Sequence, residues 1–276
     1  IKTLEDFTKT FNALGLVQDS NYSTFEAYFS EISDELAQIM QEANKSVIFG
    51  SSEIDNISAS ELPEVAYGFG GNDRILTRQG DDIIYGGDGD DYLNSCEGND
   101  VIYGENGDDT IWAGKGNDIV YGGAGADEIQ YSTGDDIIYG GDGNDTIQLA
   151  DGNQIAYGEA GNDTIKAYRN GNHTFVGGAG DDHLETTIGG NDTYIFNLGD
   201  GHDTIIDING EDVIRFGEGI TQDNIQFSGS GDSLIITFGN QNDSIEIQGL
   251  IGLERRYIES FEFSDGTSMT IEQALS

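Results

Sequence analysis

Glycine recurs every nine residues through the middle of this chain, at positions 71, 80, 89, 98, 107, 116, 125, 134, 143, 152 and 161. No helix accommodates glycine at that density. A short fixed period is the mark of a coil built from near-identical turns. Two positions after most of these glycines stands an aspartate: Asp73, Asp82, Asp91, Asp100, Asp109, Asp118, Asp127, Asp136, Asp145 and Asp163. Two further on stands an aliphatic residue: Ile75, Ile84, Leu93, Ile102, Ile111, Val120, Ile129, Ile138, Ile147 and Ile165. The unit reads G-G-x-G-x-D-x-U-x, with U aliphatic.

The pattern extends beyond its regular part. Asp55 with Ile57, and Glu64 with Ala66, fall in frame upstream. The phase slips by one residue near 167–176, then resumes as GGAGDDHLE (177–185), GGNDTYIF (189–196) and GDGHDTIID (199–207), which supply Asp182, Asp192 and Asp203. Gln154 and His173 stand in the aspartate slot of their units.

This unit resembles the nonapeptide of the repeats-in-toxin (RTX) family of calcium-binding secreted bacterial proteins. The resemblance implies a right-handed parallel β-roll and export as an unfolded chain by type I secretion machinery. The same architecture has a physical rationale. Three residues, x-U-x, make a short strand with U facing inward. The six before it make a tight turn, for which glycine supplies positive φ. Two units close one rung of a two-sheet solenoid, and rungs stack at about 4.8 Å. Asp82, Asp100, Asp118 and Asp136 then form one column, and Asp73, Asp91, Asp109, Asp127, Asp145 and Asp163 the opposite one.

Unit charges at that spacing repel by about 1 kcal/mol per pair in water and about 3–4 kcal/mol at an effective dielectric of 20. A counter-ion is required. Carboxylates together with turn carbonyls, here those of Gly71, Gly80, Gly89, Gly98, Gly107 and Gly116, are hard oxygen ligands that suit Ca²⁺. On the order of eight to ten ions are expected, each between successive turns on one edge. Asp182, Asp192 and Asp203 are expected to join the ligands, with weak or absent sites at Gln154 and His173.

Charge agrees with that expectation. The chain carries 52 acidic and 11 basic residues among 276, a formal net charge of -41. Nucleic acid and anionic membranes are excluded as electrostatic partners. The single cysteine, Cys96, permits no intrachain disulfide. The chain opens on Ile1 with an amphipathic IKTLEDFTKT, shows no signal peptide or transmembrane run, and reads as a piece of something longer.

The two outer faces differ. One carries Tyr67, Tyr85, Tyr103, Tyr121, Tyr139 and Tyr157 beside Val65, Ile83, Val101, Ile119, Ile137 and Ile155; the other is mostly polar. An apolar face calls for a cover. The segment 1–49 offers one: a helix over about 24–44 opening on the capping box Ser23-Thr24-Phe25-Glu26, and a shorter helix over about 3–14. The expected domains are thus an N-terminal helical segment (1–49), a β-roll (50–207) and a C-terminal antiparallel β capping domain (208–276). In the last of these, DNIQFSGSGDSLIITF and RYIESFEFSDGTSMTIEQAL resemble the domain that often follows RTX arrays in haemolysin-type calcium-binding proteins.

Catalytic motifs are missing. His173, His183 and His202 form no HExxH, and there is no GxSxG. The paired carboxylates are periodic ladders, which points to metal ligation. The expected function is a non-catalytic, calcium-induced folding module of a secreted RTX toxin, exoenzyme or adhesin, extracellular and monomeric. The alternative is a module of an RTX adhesin that recognises a peptide or glycan.

Overall fold

The computed structural model describes residues 46–238, 242–249 and 258–276. The helices expected over 3–14 and 24–44, and their docking on the tyrosine face, lie outside the described residues. The described chain is a parallel β-solenoid of two 12-stranded sheets. Odd-numbered strands, from β1 (Ser46–Ser51) to β19 (Val213–Phe216), stack in one sheet; even-numbered strands, from β2 (Asn56–Ser58) to β18 (His202–Ile206), stack in the other.

Local sequence explains the strands. Each x-U-x triplet is extended, with U buried between two partly exposed neighbours, as in Tyr92–Asn94 and Thr110–Trp112. The core is therefore two columns. One runs through Ile84, Ile102, Val120, Ile138, Ala156, Phe175 and Tyr194, the other through Ile75, Leu93, Ile111, Ile129, Ile147, Ile165 and Leu184, all at most 1% exposed. Where the chain places Phe175 and Tyr194 in one column, their rings stack at 5.0 Å. On the outer face of the same sheet Tyr67, Tyr85, Tyr103, Tyr121, Tyr139 and Tyr157 stack in register, centroids 4.7 to 4.9 Å apart. This is the inter-strand spacing itself.

Rung length is 18 residues in the regular part, as Ile83 paired with Val101 shows. After the phase slip it becomes 19 (Thr164 with His183), then 20 (Thr193 with Val213) and 21 (His183 with Thr204). The added residues sit in turns, because a slip inside a strand would turn its buried side chains outward.

The segment after Asp207 continues both sheets. β22 (Asp243–Ile247) pairs parallel with β18, and β23 (Ser260–Glu262) parallel with β19. β20 (Ile225–Ser230) and β21 (Ser233–Phe238) form an antiparallel hairpin on β22, and β24 (Ser268–Thr270) runs antiparallel to β23. A single helical turn, α1 (Ile271–Ala274), follows, with Thr270 and Gln273 forming a capping box. Phe216 packs against Phe238, Phe261 and Phe263 over this end of the core.

Candidate metal centre

The turns stack as the strands do, and their aspartates form two ladders. On the first edge, Oδ1 of each aspartate accepts the backbone N–H of the residue one rung earlier. Asp91 accepts from Asp73 at 2.7 Å, Asp109 from Asp91, Asp127 from Asp109, Asp145 from Asp127 and Asp163 from Asp145 at 2.8 Å, and Asp203 from Asp182 at 3.0 Å. Asp182 accepts in the same way from Asp163. On the second edge Asp100 accepts from Asp82, Asp118 from Asp100 and Asp136 from Asp118.

Half of each first-edge carboxylate is thus committed. The other half is not: Oδ2 of Asp73, Asp91, Asp109, Asp127, Asp145, Asp163, Asp182 and Asp203 is buried without a hydrogen-bond partner. Buried polar atoms are nearly always paired, so a whole column of orphans needs an occupant. Burial, opposed by the donated N–H and reinforced by neighbouring carboxylates, pushes the pKa up to about 6 for Asp91 and Asp127, about 7 for Asp163 and about 8 for Asp109 and Asp203.

Glycine shapes the space around these orphan oxygens. A Cβ built on Gly86 would lie 2.5 Å from Oδ2 of Asp91 and 2.8 Å from the carbonyl oxygen of Gly104. Gly104, Gly122, Gly140 and Gly158 repeat this convergence of a ladder Oδ2 with the next rung's carbonyl. The glycines expected to contribute carbonyls, Gly71, Gly80, Gly89, Gly98, Gly107 and Gly116, have positive φ, and the carbonyls of Gly71, Gly80, Gly89 and Gly98 point at the next rung's glycine. A buried carboxylate oxygen beside a backbone carbonyl fits a hard cation such as Ca²⁺. From Asp73 to Asp182, the residues that would hold it on this edge are the ladder aspartates and the glycines five positions before them.

Family models match this region. The model for the RTX calcium-binding nonapeptide repeat matches in four copies, at residues 67–95, 97–129, 132–165 and 150–184. The chain belongs to the RTX calcium-binding repeat family. Residues 233–273 match the haemolysin-type calcium binding protein related domain. None of the curated proteins compared with the chain matches it. Among solved structures, the extracellular lipase LipA from Serratia marcescens is similar over 74% of this chain at 20% identity, with a TM-score of 0.32. The match spans 38% of that lipase, and at that score it carries no argument about this chain. RTX membership makes the solenoid a calcium-binding β-roll.

The two edges of this RTX roll are not equivalent, and the difference lies at the inward position two residues after U. On the first edge glycine holds it from Gly50 to Gly177, and the buried Phe196 takes it in the following rung. On the second it is held by Thr77, Ser95, Ala113, Ser132, Leu149, Ala167, Thr186 and Asp207, all buried. Ser132 reaches it through a register shift between β10 (Glu128–Ser132) and β12 (Thr146–Leu149). Side chains here fill volume that glycine leaves open on the first edge. Oδ2 of Asp118 accepts from the Ser132 hydroxyl at 3.3 Å. Oδ2 of Asp136 accepts from the Gln154 amide at 2.7 Å. Two ladder carboxylates are thereby satisfied by protein groups.

The neutral stand-ins keep the ladder's backbone geometry. Nδ1 of His173 lies 3.4 Å from the Gln154 N–H, in the place of an aspartate Oδ1, and the His173 N–H donates to Oδ1 of Asp192 at 2.7 Å. Burial holds the His173 pKa below the ordinary histidine value. His183 contacts Glu185 and His202 contacts Ser244. Burial is the largest cause that raises the Cys96 thiol pKa, and its acidic neighbours add to it.

Sequence reasoning missed two buried acids. Asp207 and Asp212 gather with Asp192, one ligand oxygen from each lying within 4.8 Å of the others. Burial raises both, and repulsion adds to it, from Asp192 at Asp207 and from Asp207 at Asp212. Asp212 is the ladder aspartate of the 20-residue rung, and only counting past the end of the nine-residue period would have found it.

Proposed function

We propose that this chain is the calcium-switched folding module of a larger protein exported by type I secretion, and that the module itself performs no catalysis. The observation that carries this reading is the column of buried Oδ2 atoms without protein partners on the first edge. Inside a cell, where free calcium is scarce, the columns repel and the chain stays unfolded and exportable. Outside, millimolar calcium neutralises them, and binding free energy becomes folding free energy. The parent protein is a secreted toxin, exoenzyme or adhesin. In this reading the segment after Asp207 is a cap: its hairpin and phenylalanine cluster cover a rung that would otherwise expose core and sheet edge.

Far-UV circular dichroism during a calcium titration of chelated protein tests this, with magnesium as control. A coil-to-β transition at about 0.1–1 mM Ca²⁺ that magnesium does not reproduce is expected. A β-rich spectrum in chelator, unmoved by calcium, would sink the reading.

A further inference from the structure

The three-aspartate cluster stands where the roll leaves its repeat. Asp192 ends the turn into β17 (Thr193–Phe196), Asp207 follows β18, and Asp212 ends the turn into β19. All three are at most 2% exposed. One oxygen of each is already in use. Oδ1 of Asp192 accepts from the His173 N–H at 2.7 Å, Oδ1 of Asp212 from the Asp192 N–H at 2.6 Å, and Oδ2 of Asp207 from the Tyr194 hydroxyl at 2.6 Å. The remaining oxygens, Oδ2 of Asp192, Oδ1 of Asp207 and Oδ2 of Asp212, are buried without a partner.

A fourth, uncharged group points the same way. The hydroxyl of Thr186 is fully buried and has no hydrogen-bond partner within bonding distance. Glu185 pairs with Ile206, so Thr186 on β16 (His183–Thr186) lies beside Asp207, and its hydroxyl is directed toward the Asp207 carboxyl. The site thus gathers three unsatisfied carboxylate oxygens and one buried hydroxyl.

We propose that Asp192, Asp207, Asp212 and Thr186 hold a divalent cation of the calcium class, at a site where Asp207 adds a carboxylate to two successive ladder aspartates and which is tighter than the ladder sites. The ladder unit contributes one carboxylate per turn on an edge. Here a second carboxylate enters the same rung, because Asp207 occupies the inward position that glycine holds on the first edge. Affinity in oxygen-ligand sites rises with ligand charge and rigidity. Charge is greater here, and the Tyr194 hydroxyl and the two ladder N–H groups fix the carboxylates from outside, as supporting hydrogen bonds do around metal ligands. The ion would tie two successive turns together at the junction with the C-terminal strands. The proposal rests on the calcium reading above only for the choice of ion.

The test measures calcium retained by the intact chain after dialysis against a series of buffered free calcium concentrations. Wild type is compared with Asp207→Asn, which preserves shape and the Tyr194 contact. Wild type should keep a single ion after the ladder ions have left. Asp207→Asn should bind that ion at least about tenfold more weakly while the ladder ions leave at unchanged concentrations. Coincident release curves for the two proteins would overturn the site. Should the variant fail to fold, anomalous diffraction from wild-type crystals grown in calcium decides. A peak among the three carboxylates supports the proposal. Peaks along the ladders with none here, the carboxyls instead sharing protons, overturns it and leaves the folding switch standing. No peaks anywhere overturns both.

Discussion

The side-chain amide of Gln154 donates to Oδ2 of Asp136 at 2.7 Å and to the backbone carbonyl of Ser132 at 2.5 Å, while its own oxygen accepts from the Ala150 N–H at 3.0 Å. A neutral amide thus stands where the first edge leaves a carboxylate oxygen for a cation. Replacing Gln154 with Ala strands Asp136 Oδ2, and the loss should be about 1–3 kcal/mol, read by urea unfolding at saturating calcium. Gln154→Asp should instead restore a ladder acid and increase the calcium bound per chain in equilibrium dialysis. Unchanged stoichiometry would show that the side chains filling this edge, Leu149 foremost, leave no room for an ion.

Protons should partly replace calcium. Burial raises Asp91 and Asp127 from 3.8 to about 6, Asp163 to about 7 and Asp109 and Asp203 to about 8. Without metal, the folded chain therefore holds more protons than the unfolded chain between those limits. The stability contributed is present in full below 3.8 and is lost as pH rises through the folded values. In chelator, β signal should grow as pH falls from about 8 to about 5. In calcium the dependence reverses in sign, since protons compete with the ion, and the calcium midpoint should rise on acidification. A chelated spectrum indifferent to pH across this range would contradict the burial of the ladders.

A methyl group separates the two edges. Gly104→Ala places a Cβ against Oδ2 of Asp109 and the carbonyl of Gly122, so it should cost about 1–3 kcal/mol or more and raise the calcium midpoint. Ala113 holds the corresponding inward position on the second edge, fully buried. Ala113→Gly should leave the calcium midpoint nearly unchanged. Equal shifts for both substitutions would remove the distinction between the edges.

The column of core residues sets a cavity test. Phe175 is fully buried and stacks on Tyr194 at 5.0 Å. Phe175→Ala should destabilise the calcium-loaded roll by about 3–5 kcal/mol in urea unfolding, with ion stoichiometry retained. Loss of ions from the ladders on both sides of this rung would mean that core packing and turn geometry are inseparable here.

Much of the roll was legible before any coordinate. The period of nine fixed the rung, the aliphatic position fixed what faces inward, and the step of eighteen between Tyr85 and Tyr103 placed their rings in one stack. These are consequences of strand geometry, in which inward and outward alternate and neighbours in a ladder are set by rung length. Gln154 and His173 were also legible as breaks in an acidic column, because a repeat makes its own exceptions visible.

The tertiary structure decided what periodicity cannot carry. Which carboxylate oxygens remain unpaired depends on which N–H and side-chain donors reach them across rungs: Ser132 reaches Asp118 only because its strand shifts register, and Gln154 reaches Asp136 from 18 residues away. The cluster of Asp192, Asp207 and Asp212 belongs to rungs of 20 and 21 residues, where the clock has stopped and only stacked turns bring the three together. Sequence determines where the chain must turn and what it must bury. Contacts between turns, set by packing of rungs against one another, determine which charges are left for an ion.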